Sequence, residues 1–141
     1  MSRSVLFFFK AIVAIAGLLC LNSGSQAQTL VPLSGNNSVA CGTNTTLYDH
    51  AGAATNYSNN ANGYTVLDNS GTGVITLSGT YSTESGYDYV RIYSGSGTGG
   101  TLLYTYSGTG SITTFSSSAG QVLTVQFTSD VSITQAGFAI T

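Results

Sequence analysis

The feature that most limits the fold is an alternation of apolar and polar residues that recurs in short runs along most of the chain. In the run Gln121–Thr128, Leu123, Val125 and Phe127 occupy every second position, with polar residues between them. Neighbouring side chains of a β-strand point to opposite faces of a sheet, so this spacing predicts a half-buried strand. After residue 40, the spacing of three and four residues that is typical of an amphipathic helix is not evident.

Turn-forming segments separate these runs. NYSNNANG, DNSGTG, SGSGTGG, SGTG and SSAG are rich in Gly, Asn and Ser, which suit tight turns. Short strands that are separated by a turn about every eight to twelve residues predict an all-β fold, here an antiparallel β-sandwich of about eight strands. The predicted strands are Thr45–His50, Gly63–Leu67, Gly73–Tyr81, Tyr87–Ser94, Thr101–Tyr106, Gly110–Phe115, Gln121–Thr128 and Ala136–Thr141.

Residues 1–27 have the pattern of a secretory signal peptide. Arg3 and Lys10 give a basic start, the apolar run AIVAIAGLLCL follows, and small residues stand at Ser25 and Ala27. The apolar run is short for a membrane span, which needs about 20 apolar residues, although an uncleaved anchor is the alternative. We therefore expect cleavage after Ala27 and a secreted, extracellular or cell-surface protein without a stable membrane span. Residues 28–40 are predicted to be a linker or an edge strand, and residues 41–141 the folded domain.

Charged residues are few and unevenly placed. The chain has three basic and five acidic residues, and Glu84, Asp88 and Arg91 lie close together in ESGYDYVRIYSG. By alternation, Asp88 falls on the same face as Val90 and Ile92, which is the expected core side. Because an unpaired buried charge is costly, Asp88 is predicted to need a partner.

Several functional classes are disfavoured by composition. Outside residues 1–27, the chain has one basic residue, Arg91, and five acidic residues, which gives a formal charge of −4. Nucleic acid is therefore not an expected partner. His50 is the only histidine, and no nucleophile-elbow motif surrounds a serine, so we expect no enzymatic activity. GSGTGG is not followed by Lys, as a phosphate-binding loop would require. Cys41 is the one cysteine beyond residue 27, so it has no partner for a disulfide within that part of the chain.

Three segments, GYDYVRIYSGSG, QVLTVQFTSDVS and AGFAIT, carry a family resemblance, and TLYDHAGAATNYSNN is similar more loosely. Together they resemble the CUB domain family, the extracellular β-sandwich module of many secreted proteins, and the last of them resembles CUB-like modules of secreted bacterial proteins. The resemblance covers about residues 40–141 and implies a jelly-roll-like sandwich that serves as a non-catalytic recognition or adhesion module. The sequence departs from the family pattern in its cysteines, since the family often has two disulfides.

The resemblance also implies a calcium site. In calcium-binding members, two acids flank the loop before the Tyr-Asp-Tyr strand and a third follows the F-x-S-D strand, which corresponds to Glu84, Asp88 and Asp130 here. The Ser132 hydroxyl is a candidate further ligand, and Tyr48 roughly matches a tyrosine that supports the Glu. Calcium takes about six to eight oxygen ligands, which these side chains, a backbone carbonyl and water could supply. The implied partner is an extracellular protein that presents Lys or Arg to the ordered acidic loops.

Two other interpretations remain open at this level. The acids could serve only as turn formers, in a metal-free structural spacer of a larger surface protein. The nine tyrosines could instead offer stacking faces for carbohydrate, although tyrosine is also an ordinary residue of half-buried strands and the chain has no tryptophan.

Overall fold

The computed structural model describes residues 28–41 and 45–141. The predicted signal peptide, residues 1–27, lies outside the described residues. Within the described ranges, no helix has the length and apolar character needed to cross a membrane.

Two five-stranded sheets form a β-sandwich, as the sequence predicted. One sheet has the order β1-β3-β10-β5-β8 and the other β2-β4-β9-β6-β7. A short 3₁₀ turn at Gly52–Ala54 lies between β3 and β4. The strands are β1 Thr29–Leu30, β2 Ser34–Ala40, β3 Leu47–Tyr48, β4 Asn62–Asp68, β5 Thr76–Ser82, β6 Tyr89–Ser94, β7 Thr101–Tyr106, β8 Thr109–Ser116, β9 Leu123–Thr128 and β10 Gly137–Ile140.

The eight predicted strands correspond to β3 through β10, and the structure adds β1 and β2 within residues 28–40. The two added strands make the sheets mixed, because β1 pairs with β3 and β2 pairs with β4 in parallel, whereas the other pairs are antiparallel. The alternation of apolar and polar residues in a sequence indicates which face of a strand is buried, but it does not indicate whether a neighbouring strand runs parallel or antiparallel. The predicted β-sandwich is confirmed, and the parallel pairing is confined to the edge strands β1 and β2.

The core lies between the sheets and is centred on β9. Leu123 and Val125 are fully buried and Phe127 is 1% exposed. Burying side chains of this size stabilises a fold by about 1.5–3 kcal/mol each. The Cys41 thiol is free, and the residue packs at the margin of this core, where burial and then the charge of Asp68 raise its pKa.

The strand pairing brings three loops to one end of the sandwich. Thr128, the last residue of β9, pairs with Asn62 at the start of β4 and with Tyr89 at the start of β6. The loop that follows β9 must therefore meet the loops that precede β4 and β6, although they are far apart in sequence. The three acids proposed as calcium ligands lie in two of these loops.

Candidate metal centre

Glu84, Asp88 and Asp130 converge at this end of the sandwich. Each offers one carboxylate oxygen, and these three atoms lie within 4.8 Å of one another. The turn from Glu84 to Asp88 is closed by the Asp88 N–H, which donates to the Glu84 carbonyl at 3.1 Å. Gly86 has a φ of 83° in this turn, a conformation that glycine adopts readily.

Asp88 is fully buried and is held by two hydrogen bonds. The Tyr57 hydroxyl donates to its Oδ2 at 2.5 Å, and the Asp130 N–H donates to its Oδ1 at 2.9 Å. The carboxylate predicted to face the core therefore has polar partners, as a buried acid requires. The second bond also fixes the position of the loop after β9 relative to the loop before β6.

Tyr57 forms hydrogen bonds to two of the three acidic residues. It is 1% exposed, its ring packs edge-on against Phe127 with centroids 4.9 Å apart, and its hydroxyl accepts a hydrogen bond from the Glu84 N–H at 3.0 Å. Burial and the hydrogen bond to Asp88 raise the pKa of Tyr57. Tyr57 thus connects the hydrophobic core to two of the three acids.

Sequence reasoning placed this supporting role on Tyr48. Tyr48 lies in β3, where it pairs with Leu30 and Ala139, and a supporting role for it stays a prediction. The signal for Tyr57 was one aromatic residue inside the polar segment NYSNNANG, where a turn alone would not require it. Tyr57 is 31 residues from Asp88 in the sequence, so no local pattern predicted their contact.

Glu84 differs from Asp88 because one of its carboxylate oxygens is buried without a hydrogen bond. It is half-buried, and its Oε2 is buried without a hydrogen-bond partner among the described residues. The pKa of Glu84 is raised, chiefly by loss of hydration and to a smaller extent by the negative charges of Asp130 and Asp88. Like charges at this separation disfavour ionisation of one another, and a cation between them reverses that effect.

Asp130 opens the loop after β9. Its Oδ1 accepts the Ser132 N–H at 2.9 Å, and its carbonyl accepts the Asn60 N–H at 2.6 Å. Ser132 is exposed, and the hydrogen bond from its N–H to Asp130 places it beside the acidic cluster. Asn59 donates to the Val131 carbonyl at 2.9 Å, and the Asn59 Oδ1 is buried with no partner in the described part of the chain.

The donor set fits a hard cation. The cluster offers carboxylate oxygens, one of them an unpartnered Glu84 oxygen, and has no thiolate or imidazole. Oxygen ligands of this kind suit Ca²⁺ and do not suit the softer metals that Cys and His select. Arg91, the only basic residue beyond residue 27, is engaged elsewhere: its guanidinium lies 4.4 Å from the Tyr89 ring centroid and donates to the Thr128 hydroxyl.

The two remaining acids have structural roles. Asp49 is fully buried and accepts the Ala51 N–H at 2.9 Å and the Phe138 N–H at 3.4 Å. Its burial, only partly offset by these bonds, raises its pKa. Asp68 is exposed and its Oδ1 accepts the Ser70 N–H at 2.8 Å, which closes a turn.

Comparison with known proteins identifies one family model and a set of similar solved structures. A family model described as "CUB domain" matches residues 41–141. Among similar solved structures is the CUB1-EGF-CUB2 domain of human MASP-1/3, with a TM-score of 0.57 and 18% sequence identity, a likeness of fold alone. The match covers 74% of this chain and 39% of that one, so the chain spans well under half of that structure. A search of curated proteins gives no match.

Proposed function

The chain belongs to the CUB domain family, whose members are typically extracellular protein-interaction modules, and on this basis we propose that it is a calcium-dependent recognition module. Glu84, Asp88 and Asp130 hold one Ca²⁺, with water and a loop carbonyl or the Ser132 hydroxyl as further ligands. The module acts outside the cell, as a secreted or cell-surface protein, and performs no catalysis.

One observation supports this proposal more than any other: a buried, unpartnered carboxylate oxygen of Glu84 lies within a cluster of three acids. A buried oxygen without a hydrogen bond is costly, and the cost increases when its neighbours carry the same charge. A bound Ca²⁺ supplies positive charge that offsets this repulsion. The turn-former interpretation accounts for each acid separately but not for their convergence.

The three acids have different roles as ligands of the proposed ion. Asp88 is immobilised by Tyr57 and by the Asp130 backbone, so it provides a fixed ligand. Glu84 and Asp130 lie on the two loops that the ion would join. Loops that are ordered before a partner arrives reduce the entropic cost of association, and the remaining negative charge of the carboxylates favours a partner that presents Lys or Arg.

Thermal unfolding with Ca²⁺ and with EDTA tests the proposal. A ligand that binds only the folded state stabilises it by about 2.7 kcal/mol at roughly 100 times its dissociation constant. We expect millimolar Ca²⁺ to raise the Tm of the wild type and to leave the Tm of Asp130→Asn unchanged.

Asp68→Asn is the matched control for Asp130→Asn. Both aspartates accept the N–H of the residue two positions later, at 2.8 Å for Asp68 and 2.9 Å for Asp130, and asparagine can retain that bond. The control should keep the full Ca²⁺ response. No response of the wild type would support the metal-free spacer, whereas an equal response of both variants would show that Ca²⁺ binds without the Asp130 carboxylate.

The carbohydrate interpretation receives less support from the tyrosines. Tyr81, Tyr104 and Tyr106 pack against one another or against Phe115, with ring centroids 5.1–6.0 Å apart. These rings belong to β5, β7 and β8. Their mutual packing leaves them fewer free faces for a sugar ring.

A further inference from the structure

A cleft between the two sheets opens at the end of the sandwich opposite the acidic cluster. Its volume is about 450 Å³. Leu67 in β4 and Ile140 in β10 both line it, so each sheet contributes a wall. Leu67 pairs with Leu123 at the start of β9, whereas the acidic cluster lies beyond Thr128 at the end of that strand. Clefts of roughly 300–1,000 Å³ are the usual size of small-molecule sites.

The walls of this cleft are largely aliphatic and carry no charge. Leu67 and Ile75 line it and are 6% and 5% exposed. Val74 lines it as well and is 55% exposed, which places apolar surface at the mouth. Thr29 and Thr72 add hydroxyl groups, and every lining residue in the described part of the chain is uncharged. Apolar walls with a few hydrogen-bonding groups are typical of small-molecule sites.

Hydrogen bonds hold two walls of the cleft in place. The Cys41 N–H donates to the Asp68 carbonyl at 2.7 Å, which continues the pairing of β2 with β4. The turn after β4 is closed by the Asn69 side chain, which accepts the Gly71 N–H at 3.2 Å and donates to the Gly73 carbonyl. Cys41, Asn69 and Gly73 all line the cleft. A site whose walls are already ordered loses less entropy when it binds a ligand.

The charges around the cleft favour an uncharged ligand. No described lining residue is basic, so a carboxylate or phosphate would find no counter-charge on the walls. Burial, and to a smaller extent the negative charge of Asp68, raises the pKa of the Cys41 thiol on one wall. The charge of Asp68 therefore acts within the cleft and opposes an anion there. A cation would lose hydration without a carboxylate among the described lining residues to replace it.

We propose that this cleft binds an uncharged small molecule with an aliphatic body and a hydroxyl or carbonyl end, of the class of medium-chain alcohols and esters. The aliphatic body lies against Leu67, Ile75 and the other apolar walls, and the polar end contacts the threonine hydroxyls. The site is independent of the proposed calcium site, because the two lie at opposite ends of the sandwich.

NMR titration of the ¹⁵N-labelled protein in EDTA tests this inference with 1-hexanol, 1-octanol, octanoate and octyltrimethylammonium. We expect 1-octanol to shift the amides that line the cleft and to bind about fifteenfold more tightly than 1-hexanol, the effect of burying two CH₂ groups. Octanoate and octyltrimethylammonium should each bind at least about tenfold more weakly than 1-octanol, because both would lose hydration without a counter-charge. Equal binding of the three octyl probes, no binding of 1-octanol, or 1-octanol shifts away from the cleft would overturn the inference.

Cys41 provides an independent measure of occupancy, because it lines the cleft. The rate of its alkylation by N-ethylmaleimide can be followed on the Cys41 peptide by mass spectrometry. This rate should fall at least about fivefold when 1-octanol saturates the cleft, because thiol reactivity depends on access. Octanoate at the same concentration should leave the rate unchanged. An unchanged rate with saturating 1-octanol would contradict binding in the cleft.

Two exposed alanines give a blocking variant and its matched control. Ala40 lines the cleft, whereas Ala136 precedes β10 at the end of the sandwich that carries the acids. Ala40→Trp should weaken the binding of 1-octanol at least about tenfold, because the bulky indole occupies part of the cleft. Ala136→Trp should bind 1-octanol as the wild type does. Equal affinity of the two variants would overturn the inference.

A second variant, Thr72→Lys, tests the site even if Ala40→Trp lowers the urea midpoint. Thr72 is exposed and lines the cleft, so a lysine there can reach the mouth while its ammonium stays in water. We expect octanoate to bind this variant at least about tenfold more tightly than it binds the wild type, because the ammonium supplies the missing counter-charge. Unchanged affinity for octanoate would contradict the proposed cleft.

Discussion

At the scale of single residues, a buried acid and a buried tyrosine define the site. The sequence predicted that Asp88 faces the core and needs a partner, since it shares a face with Val90 and Ile92. The structure supplies Tyr57, which no local pattern connects to Asp88. Alternation locates a side chain on a face, but a contact between distant residues depends on the topology of the whole sheet.

Removal of the Tyr57 hydroxyl should destabilise the fold. Tyr57→Phe keeps the ring on Phe127 but removes the donor to Asp88 Oδ2 and the acceptor of the Glu84 N–H. Because the bond to a charged buried group is lost, we expect the free energy of unfolding to fall by about 1.5–3 kcal/mol in urea titrations. Tyr93→Phe, which loses a hydroxyl bond to Gln126 at 3.0 Å, should cost less. Equal losses would contradict the role assigned to Tyr57.

His50 should make stability depend on pH. Its Nε2 accepts the Ser58 N–H at 2.9 Å, and burial lowers its pKa despite the neighbouring charge of Asp49. The folded state therefore disfavours the protonated form, which also cannot accept this bond. The stability that His50 contributes should be complete above the unfolded pKa of about 6.5 and decrease as the pH falls below it.

The difference between wild type and His50→Gln isolates this effect, because the acids titrate in both proteins. Urea unfolding at pH 8 and pH 5 should show a larger loss on acidification in the wild type than in the variant. The same loss in both proteins would assign the pH dependence to other groups.

At the scale of elements, the sequence showed the strands with alternating residues and left β1 and β2 undecided. β2, SGNNSVA, is rich in polar residues and almost entirely exposed, so no buried face marks it. It is held by parallel pairing with β4 and by the Asn37 side chain, which accepts the Thr65 hydroxyl at 2.6 Å and donates to the Leu30 carbonyl at 2.9 Å. Such an edge strand depends on its neighbours and has little signal of its own.

The pairing of β5 with β10 should be sensitive to one glycine. Gly79 has a φ of 156°, and a Cβ there would lie 2.0 Å from the Ala139 carbonyl oxygen in β10. We expect Gly79→Ala to lower the free energy of unfolding by about 1–3 kcal/mol or more, the cost of overpacking against backbone. Gly99→Ala, where a Cβ meets nothing within 4 Å, should change stability little. A tolerated Gly79→Ala, judged by urea midpoints, would contradict this close approach.

At the scale of the whole molecule, the site results from the pairing of β9 with both β4 and β6. The family resemblance correctly grouped Glu84, Asp88 and Asp130, which no spacing in the chain brings together. It did not identify Tyr57, because the contacts of this residue depend on how this chain packs its loops. The grouping of the three acids was therefore predictable from the family, whereas the supporting contacts required coordinates.

The central claim is that three carboxylates hold one Ca²⁺, and calorimetric titration of Ca²⁺ into wild type and Glu84→Gln tests it most directly. Glutamine keeps the size of Glu84 but removes its negative charge. We expect one site per chain in the wild type, and at least about tenfold weaker binding in the variant, as the loss of a charged ligand implies. Absence of binding to the wild type, or equal affinity in both proteins, would contradict the assignment.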